Sequence, residues 1–217
     1  MAGIMTSEAH ALFLHGLWMP GPESHWFRRR LSAETGMATS VFTYRTTVEP
    51  LETVIERLRD TISRLHASQV HLIGHSLGGV VLLKLFDSPE GSSLPPGRVV
   101  LLGAPVCGSC AARRFQSMGL GRLMLGGRVA DELLPEREPV WRATRELGVI
   151  AGTRPLGLGR LFARFDEPND GTVSLRETEI AGAADRIVLP VSHMGMLMSS
   201  RVARETGHFL ANAHFGL

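Results

Sequence analysis

Short, nearly continuous apolar runs recur along the chain, each closed by turn-forming residues: Ala9 to Leu14, Val41 to Tyr44, Val70 to Ile73, Arg98 to Leu102, Leu147 to Ala151 and Arg186 to Val191. Runs of this length without polar alternation are expected of strands covered on both faces. Between them the period changes to that of helices. Ser24 to Thr35 reads as a helix with Ser24 at its N-cap, and Leu51 to His66 carries an apolar stripe at Leu51, Val54, Ile55, Leu58, Ile62 and Leu65. Leu77 to Asp87 and Met194 to Ala213 fit two further helices. Strands alternating with helices predict an α/β fold, with a mostly parallel central sheet of about six strands and helices on both faces.

One stretch breaks this rhythm. From Val106 to about Pro139 the chain is rich in Gly, Arg, Met and Leu, and Phe115, Met118, Leu120, Leu123, Met124 and Leu125 suit short amphipathic helices jointed by glycines. A single domain spanning residues 1–217 with a cap or lid inserted at about 106–140 is therefore expected. The apolar face of that insertion either packs on the core or lines a pocket.

Composition narrows the class. A chain of 217 residues with 44% hydrophobic residues is long enough for one well-buried core. The formal charge of +2 is spread along the chain apart from Arg28-Arg29-Arg30, which speaks against a nucleic-acid partner. Lys84 is the single lysine, so nearly all positive charge is arginine. The first ten residues lack the pattern of an export signal, and no run approaches the roughly 18 apolar residues that a membrane span requires. A cytoplasmic protein without stable membrane insertion is the expectation, with a secreted form whose signal has been removed as the alternative. Cys107 and Cys110 form a C-x-x-C that could be a redox pair, half of a zinc site or a local disulfide; without a second ligand pair, structural or incidental cysteines are expected.

Candidate chemistry centres on Gly74-His75-Ser76-Leu77-Gly78-Gly79, which joins a strand-like run to a helix-like one. A serine on so sharp a turn is held out toward substrate, and small neighbours let strand and helix approach. A serine hydroxyl is a poor nucleophile at neutral pH, so it needs a histidine to take its proton and an acid to orient that histidine. His193, in Ser192-His193-Met194-Gly195, follows the last expected strand. His71, His75, His208 and His214 compete less well: they fall mid-strand, inside the turn itself or on the final helix and tail. The acid should fall between Ser76 and His193. Asp170, on the Asn169-Asp170-Gly171 turn, is favoured over Asp166 and Glu167. An oxyanion would be met by the Leu77 N–H at the start of the helix and by the Leu17 N–H, with Gly16 allowing the chain to turn.

Together His15-Gly16, the 74–79 elbow, Asn169-Asp170-Gly171-Thr172-Val173 and Ser192-His193-Met194-Gly195 resemble the α/β-hydrolase superfamily, in particular its small bacterial lipases and esterases. The resemblance implies a serine carboxylic-ester hydrolase working through an acyl-enzyme. Its triad would be Ser76, Asp170 and His193, and its oxyanion donors Leu17 and Leu77. It implies neither metal nor organic cofactor. Trp18, Met19, Leu123 and Met124 would border a site for aliphatic acyl groups. Thioesters, amides or another acyl acceptor would use the same apparatus, and a non-catalytic binding module is the reading from a different class.

Overall fold

The computed structural model describes residues 7–87, 93–108, 139–156 and 167–216. Among the described residues six strands form one sheet in which every pairing is parallel: β1 (Ser7–Leu14), β2 (Ala38–Phe42), β3 (Ala67–His75), β4 (Val99–Leu102), β5 (Leu147–Gly152) and β6 (Asp185–Leu189). The order across the sheet is β2-β1-β3-β4-β5-β6, so the chain winds outward in both directions from the centre. Strand side chains alternate between two cores, as the period of two demands. Leu12 and Leu14 of β1, Val70 and Leu72 of β3 and Val99 and Leu101 of β4 face one side, where α2 (Leu51–Arg64) and α3 (Leu77–Asp87) cover them. Ala11 and Phe13, Ile73, and Val100 and Leu102 face the other, beneath α1 (His25–Thr35) and α4 (Ser200–Asn212). Burial on both faces is why these strands read as unbroken apolar runs.

Three local expectations are corrected. The second strand runs over Ala38–Phe42 rather than Val41 to Tyr44, because it pairs from His10↔Ala38 to Leu14↔Phe42 and its partner ends there. Tyr44 leaves the ladder and gives its N–H to His15 Nε2 at 3.3 Å. The expected helix from Met194 to Ala213 is broken into a 3₁₀ segment, Met194–Met198, and α4. Ser199 divides them: its backbone is extended and its side chain accepts the N–H of Val202, capping α4. Ser24 stands at the N-cap of α1 without capping it; its hydroxyl donates to the Gly21 carbonyl at 2.6 Å and accepts from Arg28 Nε at 3.0 Å.

Between β4 and β5 the chain is described to Gly108 and again from Pro139, so the core of the expected cap at 106–140, with Leu123 and Met124, lies outside the described residues, as do Cys110 and Asp166. The Cys107 thiol donates to the Glu179 carbonyl at 2.8 Å. No described helix is long and apolar enough to cross a membrane.

Candidate active site

In a parallel sheet every strand delivers its following loop to the same edge, which is where such folds collect their functional groups. Ser76 follows β3, Asp170 lies on the connection after β5, and His193 follows β6. The serine backbone has φ 53°, a left-handed conformation that costs a non-glycine residue on the order of 1–3 kcal/mol. Its N–H is fixed by the Leu102 carbonyl of β4 at 3.0 Å, and its carbonyl accepts from Gly79 N–H at 3.0 Å. The surrounding glycines make room for this turn. A Cβ on Gly74 would lie 2.6 Å from Gly79 Cα, one on Gly78 2.4 Å from the Leu14 carbonyl oxygen, and one on Gly79 2.4 Å from Ala104 Cβ. The elbow is thus wedged among β1, α3 and the end of β4.

Asp170 is held more tightly than a turn residue in water would be. It is 1% exposed, its Oδ1 accepts the N–H groups of Thr172 (2.9 Å) and Val173 (2.7 Å), and its Oδ2 lies 2.7 Å from His193 Nδ1. Its carbonyl also accepts the His193 N–H at 2.9 Å. Asn169 Oδ1 accepts the N–H of Gly171, whose φ of 96° and close approach to Leu156 leave no space for a side chain. A carboxylate facing Nδ1 places the ring proton there, which leaves the Nε2 lone pair for proton uptake. Glu167, the weaker of the two rival acids, is exposed.

Two glycines absent from the sequence-based site complete the pocket for this pair. Gly103 (φ 53°) directly follows β4, and a Cβ there would sit 2.9 Å from Asp170 Oδ2 and 3.2 Å from His193 Nδ1. A Cβ on Gly152, at the end of β5, would lie 2.8 Å from Asp170 Cβ. The signal in the sequence was a glycine closing each apolar run, but what it makes room for is a side chain far along the chain.

The loop after β1 is built around a buried imidazole. His15 Nε2 accepts the Tyr44 N–H, so Nδ1 carries its proton and donates to the Gly16 carbonyl at 2.9 Å. The same carbonyl accepts from Met19 N–H at 3.4 Å. In a trans peptide the N–H points opposite to the carbonyl, so the Leu17 N–H is directed away from His15. Gly16 does not take a left-handed conformation; a Cβ there would lie 2.9 Å from Met19 Sδ and 3.1 Å from Ser76 Cβ, so closeness to the elbow demands glycine. Left-handed geometry falls instead on Trp18 (φ 57°), whose N–H donates to Thr46 Oγ1 and whose side chain is 53% exposed. Met19 is half-buried against the core beneath α1 and α4, and Leu17 packs on the opposite core. Leu77 opens α3, where no preceding turn supplies an acceptor for its N–H.

Burial depresses the basicity of His15, and it holds His75 at about 3, with the neighbouring His193 as the next cause. Both rings are therefore neutral hydrogen-bonding groups. Among the described residues no group of three or more His, Cys, Asp or Glu side chains is arranged to hold a metal ion.

No protein of curated function matches the sequence. Among solved structures, the chain is similar to the mature Bacillus licheniformis lipase BlEst2, with TM-score 0.64 and 16% identity over 95% of this chain and 92% of that one. A metagenomic carboxyl esterase gives TM-score 0.70 and 15% identity over 96% and 76% of the two chains. The thioesterase RedJ of the prodiginine pathway in Streptomyces coelicolor gives 0.61 and 13% over 93% and 85%. At such identities these likenesses establish the fold. The family model described as the alpha/beta hydrolase family matches residues 11–213, nearly the whole chain and every group at the sheet edge. With its all-parallel sheet and its serine elbow after β3, this chain belongs to the alpha/beta hydrolase family.

Proposed function

We propose that the protein is a serine hydrolase of carboxylic esters with aliphatic acyl groups. The observation that carries this reading is the buried 2.7 Å contact between His193 Nδ1 and Asp170 Oδ2, at the same sheet edge as the strained Ser76 turn. Strain and burial are retained at one place at a stability cost, as reactive centres require. In the proposed cycle Ser76 Oγ attacks the ester carbonyl while His193 Nε2 takes its proton. The imidazolium, stabilised by Asp170, returns that proton to the departing alcohol. Water then attacks the acyl-enzyme by the same route and releases the acid. The N–H groups of Leu17 and Leu77 face the developing oxyanion. Trp18 and Met19 border the acyl site, together with Leu123 and Met124 of the segment expected to cap it, and the chain acts as one domain.

Hydrolysis of a p-nitrophenyl acyl series from acetate to palmitate by wild type and Ser76→Ala tests this reading. Wild-type turnover with a loss on the order of 10⁴–10⁶ in the variant is expected. Wild-type protein that cleaves acyl thioesters and leaves oxygen esters untouched would overturn the ester assignment; activity surviving in Ser76→Ala would overturn the nucleophile.

A further inference from the structure

His75 is a completely buried imidazole beside the elbow to which the acyl-transfer cycle gives no task. It is the last residue of β3 and directly precedes Ser76. Its Nε2 lies 3.1 Å from the backbone carbonyl of His193. A carbonyl only accepts, so Nε2 carries the proton and donates it. The two imidazole rings also pack together, with centroids 4.7 Å apart and planes inclined by 44°. The other nitrogen, Nδ1, is buried and has no hydrogen-bond partner. It lies against the loop after β1: a Cβ on Gly16 would stand 3.3 Å from it.

This arrangement has an energetic oddity. An acceptor sealed from water and left unpaired destabilises the fold, whereas an apolar side chain of similar shape would fill the space at no such cost. Retaining histidine is explained by the Nε2 side of the ring. His193 otherwise hangs on a short loop between β6 and the Met194–Met198 turn, where its N–H is tied to the Asp170 carbonyl and its Nδ1 to Asp170 Oδ2. Both of those ties lead to Asp170. The contact from His75 reaches the carbonyl side of His193, and it anchors that peptide to the strand that carries the nucleophile.

We propose that His75 is a positioning residue that fixes the His193 imidazole relative to Ser76, through the Nε2–H donated to the His193 carbonyl and through the tilted contact between the two rings. The inference rests on the acyl-transfer reading for its kinetic consequence, and on geometry alone for the placement. Burial and the adjacent His193 keep the ring neutral, so it persists as a donor at Nε2 while His193 gains and loses its proton.

Three substitutions separate the donor from the bulk. His75→Gln carries an amide N–H at the reach of Nε2, His75→Asn carries one only at the reach of Nδ1, and His75→Leu fills the space without a donor. On a p-nitrophenyl ester, Leu and Asn are expected to lower kcat by about 10–100-fold with KM within about twofold of wild type, the cost of a small misplacement of a reacting group. Gln is expected to restore kcat to within a few-fold. A second readout needs no substrate: the downfield proton resonance of His193 Nδ1–H, followed with histidine-selective ¹⁵N labelling, should stay sharp in wild type and Gln and broaden in Leu and Asn. Equal kcat and an equally sharp resonance in Leu and wild type would overturn the inference, as would Gln and Asn behaving alike. If Leu does not fold, the Gln and Asn pair still decides. If wild type hydrolyses no ester, the functional reading fails, and the resonance comparison judges the role of His75 by itself.

Discussion

At the scale of single residues, the candidate site depends as much on atoms that are missing as on those present. Asp170 and His193 meet in a space that exists because residue 103 has no side chain. Gly103→Ala would force a left-handed conformation on alanine, costing roughly 1–2 kcal/mol, and would press a methyl group onto the carboxylate and the imidazole. The expected outcome is a fall in kcat of about 100-fold, the order seen when a reacting group moves by an ångström. Steady-state kinetics at a temperature well below the melting transition checks it, and unchanged kcat would mean that the pair relaxes elsewhere. The same reasoning divides the elbow into its parts. Ser76 bears the strain, Gly74, Gly78 and Gly79 yield the space, and His75 ties the turn to the histidine loop.

At the scale of elements, buried side chains of α4 hold it against the sheet. Phe209 of α4 is fully buried, and its ring sits over Gly148 of β5, where a Cβ would come within 2.8 Å of it. It also meets Phe215, with ring centroids 4.9 Å apart. Removing the ring leaves a cavity under a helix whose other buried side chains are smaller. Phe209→Ala should therefore destabilise by about 3–5 kcal/mol, read from urea unfolding, while leaving the geometry of the distant sheet edge intact. A stability loss below 1 kcal/mol would show that α4 closes the gap by shifting. On the opposite face α2 and α3 share one core with Tyr44, whose ring stacks on His15 at 4.5 Å and whose hydroxyl donates to the His15 carbonyl at 2.7 Å. That packing carries the position of β2 into the loop after β1.

For the whole molecule, the histidines buried in neutral form make stability depend on pH. His71 lies in β3, accepts the N–H of Arg98 at Nδ1, and has its basicity depressed to about 4 by burial first and then by the charges of Arg98 and Arg145. His75 is depressed to about 3. In the unfolded chain both titrate near 6.5. Below that value the unfolded state binds protons that the folded state refuses, so stability is fully present above it. It declines as pH falls toward 4 and 3, by up to about 1.4 kcal/mol per pH unit for each histidine. The urea midpoint should drop between pH 7 and pH 5. His71→Asn, which keeps an acceptor at the Nδ1 position, should flatten that slope, and a wild-type midpoint that does not move would contradict the assignment.

How much of this was legible in advance follows from which interactions are local. Period and turn chemistry are local, so six apolar runs and the helices between them were readable, and so was the elbow, whose glycines and serine adjoin. The order serine, acid, histidine along the chain was equally visible. Tertiary structure decided what depends on distant neighbours. The end of β2 is set by the end of β1, and the break at Ser199 by a side chain capping a new helix rather than continuing the old one. The reason Gly16 must be glycine is the nearness of Ser76, 60 positions later in the chain by their numbering. Gly103 and Gly152 looked like ends of strands, and only the folded sheet brings Asp170 and His193 against them. Sequence determined the elements and named the candidate side chains because hydrophobic period and motif spacing are written along the chain. Space, tautomer and backbone support came from the fold, because each is fixed by atoms that meet only once the sheet has formed.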